Sequence, residues 1–131
     1  MNFQTIDYQA DEHCAYITLL QSHSNMQMVR DLTTVCNHLE DECQAPIVVI
    51  RGSDGNFCQG INFAEFNPNA AMDIHGFNKW EKMCVRIERL PKITISVLEG
   101  SVIGGGFQLA LLTDFRIARS DVKLQFPEVL T

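Results

Sequence analysis

The chain has 131 residues, net charge −6, 46% apolar and 20% charged residues. That length bounds it to one domain, residues 1–131, large enough for a real core. Its acidity argues against a nucleic-acid or anionic-membrane surface, and no apolar run approaches the ~20 residues of a membrane helix.

The opening residues, MNFQTIDYQADEH, lack the basic start and apolar core of a signal peptide. Five cysteines (Cys14, Cys36, Cys43, Cys58 and Cys84) are odd in number and irregularly spaced. Reduced thiols in a cytoplasm suit that pattern. Cys36, His38 and Cys43 match no zinc spacing, so no metal site is expected.

Residues 3–9 and Cys14 to Leu20 read as two strands of a hairpin, with Asp11-Glu12-His13 in the turn. Gln21 to Asn25 is polar loop. From Met26 to Cys43, residues Met28, Val29, Leu32, Val35, Cys36, Leu39 and Cys43 fall on one helical face, and Ser24 or Asn25 can cap its start. Ile47 to Ile50 is continuously apolar, as a strand buried on both faces would be. Gly52 to Gly60 is a turn-rich loop, in which Cys58 reads as a small buried thiol and not as a nucleophile. Asn67 to Met72 reads as loop. Ile74 to Leu90 places Phe77, Trp80, Cys84 and Ile87 on one helical face and must end before Pro91. His75 sits near the start of that helix, where solvent exposure is expected.

Lys92 to Leu98 is strand-like, and Phe107, Ala110 and Leu111 have helical spacing. Gly104-Gly105-Gly106 therefore lies where strand gives way to helix. Glycines there allow close helix-on-sheet packing. They equally let the first, unpartnered helix amides approach a negative oxygen. A Walker loop needs Gly-Lys-Ser/Thr, and here Phe107-Gln108-Leu109 follows. A dinucleotide fingerprint needs glycine where Leu109 stands. What survives on the ligand side is a site for an oxygen that gains charge during reaction. A helix over 105–113 and strands at Phe115 to Ala118 and Val122 to Phe126 complete the chain.

Two blocks, IVVIRGSDGNFCQGINFAEF (47–66) and ISVLEGSVIGGGFQLALLTDFRIARSDVKLQF (95–126) with Pro127-Glu128, closely resemble the crotonase superfamily, also called the enoyl-CoA hydratase/isomerase family. The resemblance implies an α/β fold, a crotonase-like spiral of ββα units, here truncated before the C-terminal helices that longer members carry. It implies an acyl-CoA or other acyl-thioester substrate. No cofactor is implied beyond the coenzyme A of that substrate. A homotrimer or hexamer is implied if the full domain is present. By position, the backbone amides of Ile61 and Gly105 would form the oxyanion hole. Gln59, Gly60 and Gly104 would border the substrate, with carbonyls near Gln59 and Ile61 receiving the adenine. Asn62 departs from the family's usual aspartate.

The family's hydratases use two glutamates twenty residues apart; here those positions hold Gln108 and Glu128. An amide cannot transfer a proton, though it can orient water. Glu128 would then act as the sole acid/base, which favours double-bond isomerisation over hydration. Decarboxylation, or dehydration on an acyl carrier protein, is the alternative. So is a degenerate member that binds acyl thioesters without turnover, in which Glu128 is a solvated charge. A nucleotide-binding βαβ domain is the rival from outside the family.

Overall fold

The computed structural model describes residues 1–62 and 71–126, with residues 71–74 described by backbone alone. The elements run β1 (Ile6–Ala10), β2 (Cys14–Leu19), α1 (Met26–Asp41), β3 (Ile47–Arg51), α2 (Ala71–Glu88), β4 (Ile93–Leu98), β5 (Ser101–Ile103), α3 (Gly105–Leu111), β6 (Phe115–Ala118) and β7 (Lys123–Gln125). A five-stranded sheet has the order β1-β2-β3-β4-β6, and β5 pairs with β7 in a second, two-stranded sheet.

The hairpin forms as its sequence demands. Ile6 pairs with Leu19 and Ala10 with Ala15, antiparallel. Asp11 closes the turn by accepting from the amides of His13 and Cys14 at 2.7 and 2.8 Å. The remaining pairs of the large sheet are parallel. Ala15, Ile17 and Leu19 of β2 and Val48 and Ile50 of β3 are fully buried, together with Leu32, Val35 and Leu39 of α1. Strand β3 departs from the expectation of two buried faces: Ile47 and Val49 are only half-buried. The buried and half-buried residues alternate, so the sheet presents one face to the core.

Both long helices begin and end near their expected limits. Asn25 caps α1 by accepting from the Met28 amide at 2.9 Å. The expected core faces are buried, except that Cys43 and Phe77 are half-buried and Met83 joins the interior. Helix α2 starts at Ala71, so the loop expected over 67–72 is overturned at its last two residues; residues 67–70 lie outside the described residues. No helix among the described residues is long and apolar enough to cross a membrane.

One buried charge ties the chain's start to α1. Asp31, 5% exposed, accepts from Thr5 N at 2.9 Å, Thr5 Oγ1 at 2.7 Å, Gln4 N at 3.2 Å and Gln27 Nε2 at 2.9 Å. Burial alone pushes such a carboxyl's pKa up. Here the donors, Thr5 foremost, outweigh burial and hold it below the usual range. A depressed folded pKa stabilises above the unfolded value and is lost as pH falls through it. Replacing Asp31→Ala strands the Thr5 donors and should cost about 1–3 kcal/mol in urea unfolding at pH 7. That difference should narrow as the pH falls below about 4, the unfolded carboxyl range.

Candidate active site

The glycine triplet is reached through a strand that the sequence did not reveal. After β4 the chain turns at Gly100 and runs along β5 before α3 starts, so β5, not β4, delivers the chain to the glycines. Strand β5 lies beside the loop that ends at Gly60: Cys58 bridges Val102 in parallel, and Ile103 N donates to Cys58 O at 3.0 Å. Phe57 N donates to Glu99 O at 3.0 Å. The loop is held on its other side as well, by Gln59 N to Ser22 O at 2.7 Å and Ser24 N to Gly60 O at 2.8 Å.

Between loop and helix there is no space for side chains. A methyl group at residue 106 would overlap the carbonyl oxygen of Cys58. One at residue 105 would lie 2.7 Å from Trp80 Nε1, whose N–H donates to Gly105 O at 3.1 Å. One at Gly60 would lie 2.7 Å from Gly105 N. Gly60 and Gly104 also take left-handed backbone angles, φ 72° and 56°. The two readings of the triplet are therefore not rivals: close packing is what brings the Gly60–Ile61 backbone against the Gly105 amide.

The direction of those amides follows from peptide geometry. In a trans peptide the N–H points opposite to the carbonyl of the same unit. Gly60 O accepts from Ser24 N and, at 3.3 Å, faces His23 Nδ1. The Ile61 N–H of that unit therefore points away from the 21–25 loop. Gly104 O accepts from Gln108 N at 2.9 Å inside α3, so the Gly105 N–H points out of the helix start. Neither amide donates to another backbone group among the described residues. Both carbonyls are thus anchored on one side of their peptides, and the two amides point to the other.

Gln108 lies three residues after Gly105 and hence on the same face of α3. Its side chain is half-buried. Glu128 lies outside the described residues, as does Pro127. The strand leading to it is fixed at the site: Gly104 N donates to Gln125 O at 2.9 Å, and the Phe107 and Phe126 rings stack with centroids 4.5 Å apart. The far end of α3 is secured by Arg116, whose guanidinium donates to Thr113 O at 2.8 Å, and by Asp114, which accepts from Thr94 N at 2.9 Å. Cys58 is fully buried, and burial pushes its thiol up to about 11, partly offset by the Gly60 N–H at 3.4 Å. It is a packing thiol, as the sequence indicated. Trp80 is buried, but its N–H adds a tie to the site helix that spacing could not show. His75 is exposed. Among the described residues no group of three or more His, Cys, Asp or Glu could hold a metal ion.

Residues 10–131 match the family model described as enoyl-CoA hydratase/isomerase. The chain belongs to that family. Similar curated relatives include an ethylmalonyl-CoA decarboxylase of Danio rerio, 34% identical over 103 residues, 76% of this chain and 33% of the relative. A probable enoyl-CoA hydratase of Bacillus subtilis (strain 168) is 26% identical over 129 residues, 95% of this chain and 50% of the relative. Among solved structures, Pseudomonas aeruginosa AtuE superposes with a TM-score of 0.87 at 27% identity, over 97% of this chain and 52% of that one. An enoyl-CoA hydratase from Bacillus anthracis, at 24% identity, shares the fold with a TM-score of 0.88, over 97% and 52% of the two chains. The crotonase-like α/β fold expected from the sequence is thus present, and the chain spans a third to a half of these relatives' length.

The contact between Cys58 and Gly106 gives a direct test. Gly106→Ala should push the 57–61 loop off α3 and destabilise the protein by about 1–3 kcal/mol. Gly76→Ala, whose new methyl would meet, among the described residues, only Met26 at 3.4 Å or more, should instead gain up to about 1 kcal/mol within α2. Urea unfolding of the two variants measures both signs.

Proposed function

We propose that this chain carries the thioester-activating part of an acyl-CoA enzyme site. The Ile61 and Gly105 amides hold the thioester oxygen as it gains charge, and Glu128 moves the proton. The observation that carries this reading is the pair of outward amides, each with its own peptide's carbonyl engaged behind it. Charge held on that oxygen lowers the barrier to breaking the α C–H bond, and each such donor is typically worth about 10²–10³ in rate.

For a 3-enoyl thioester, the Glu128 carboxylate takes a proton from C2. The C–H electrons form the C1=C2 π bond of a dienolate as the carbonyl π pair moves onto the thioester oxygen. The same carboxyl then returns the proton to C4, leaving the 2-enoyl thioester. One acid/base group suffices. Hydration asks for a second, and position 108 supplies an amide. The backbone at Gln59, Gly60 and Gly104 would border the coenzyme A portion, with the Gly60 carbonyl already committed to Ser24.

Decarboxylation of a 2-carboxyacyl thioester is the second reading. The Danio rerio relative's name favours it, and loss of CO2 leaves the same enolate for the same two amides. The proposal includes a reducing, cytoplasmic setting for the five free thiols and a homo-oligomer, trimer or hexamer. Leu111, Phe115, Ile117 and Leu124 are 46–60% exposed, an apolar surface of the kind association covers.

The test compares 3-enoyl-CoA, 2-enoyl-CoA and 2-alkylmalonyl-CoA on this chain and on any longer product of its gene. Isomerisation should exceed hydration. Glu128→Gln should abolish α-proton exchange while leaving thioester affinity nearly unchanged, as expected for a group acting in the transition state. Gln108→Glu should raise hydration relative to isomerisation. Full activity in Glu128→Gln would sink the mechanism. CO2 release without isomerisation would select the decarboxylase reading, and binding without proton exchange a non-catalytic one.

A further inference from the structure

We propose that His23 is a positioning residue for the Ile61 amide, acting through the Gly60–Ile61 peptide; this rests on the reading that the amide holds a thioester oxygen. His23 Nδ1 lies 3.3 Å from Gly60 O. A carbonyl oxygen only accepts, so the ring nitrogen facing it must carry the proton. With the Ser24 N–H at 2.8 Å, both lone pairs of Gly60 O are then engaged. His23 is half-buried, and its main-chain carbonyl accepts from Gln21 Nε2 at 2.8 Å.

The consequence lies on the other side of the peptide. A donor on the carbonyl draws electron density toward oxygen and makes the N–H of the same planar unit a stronger donor. That N–H belongs to Ile61 and points away from His23. Two backbone bonds, Gln59 N to Ser22 O and Ser24 N to Gly60 O, already fasten the loop without the imidazole. What His23 adds is the aim and polarity of one amide. It does so from behind the peptide, without touching a ligand in front.

The test needs no turnover. In isotopically labelled protein, His23→Leu should shift the Gly60 carbonyl carbon and the Ile61 amide nitrogen upfield, while the Gln59 amide, bonded to Ser22 O, keeps its shift. His23→Asn, which retains a side-chain N–H donor, should restore part of both. The second readout is the absorption of bound 2,4-hexadienoyl-CoA, a chromophore that moves to the red when its carbonyl is polarised. Wild type should show that shift, and His23→Leu a smaller one at saturating ligand, with an affinity within about threefold, the scale of one weak hydrogen bond. An Ile61 amide that ignores His23→Leu overturns the proposal. So does a moved amide with an unchanged red shift. If wild type itself shows no red shift, the oxyanion reading falls and takes this one with it. If His23→Leu does not fold, the same two readouts on His23→Phe, which lacks a donor, against His23→Asn, which keeps one, decide the matter, and equal values in the two overturn the proposal.

Discussion

The organisation of this protein depends on one close contact, the backbone of Cys58 against the Cα of Gly106. Loop and helix meet with nothing between them but main chain. That contact requires glycine on the helix side. It also requires the loop to run as an extra strand-like partner of β5, which it does through the Cys58–Val102 bridge. Once those two conditions hold, the Gly60–Ile61 peptide can lie only beside the first amide of α3. The supporting bonds from Ser22, Ser24 and Trp80 fix the direction of groups that the contact has already placed.

Much of this was legible in order and little of it in depth. Helix α1 announced itself because seven apolar residues recur at helical spacing and Asn25 stands before them. The parallel strands were visible as short apolar runs bounded by Pro46, Pro91 and glycine. Strand β5 was not, because Ser-Val-Ile is too short to carry a period and its partner, β7, is twenty-two residues away. Nothing in the sequence marked Asp31. Its burial depends on Thr5, twenty-six residues distant, and no local pattern encodes that. The burial of one face of β3 and only partial cover of the other was likewise a property of the sheet's neighbours, and an apolar run alone could not express it.

The site divides along the same line. The glycine triplet was readable as a place where backbone approaches backbone, whereas the Ile61 and Gly105 amides were named only through the resemblance. The residues that hold those parts in place were not readable. His23 lies in a polar loop with nothing to distinguish it, and Trp80 looked like ordinary core. Each acts through a carbonyl, and a carbonyl is the same whichever residue bears it. Family membership gave the family's chemistry as a frame. The positions of Gly60, Ile61 and Gly105 relative to one another came from packing.

A site made of peptide groups has an evolutionary property that a site made of side chains lacks. The side chains of Ile61 and Ile103, both half-buried beside the glycines, are not what points the two amides. They can change size and shape while the amides stay where loop and helix put them. On the proposed reading, selection can thus remodel the walls around the two amides without turning either of them. One scaffold can in this way come to serve substrates of many shapes, and specificity and chemistry can drift on separate clocks.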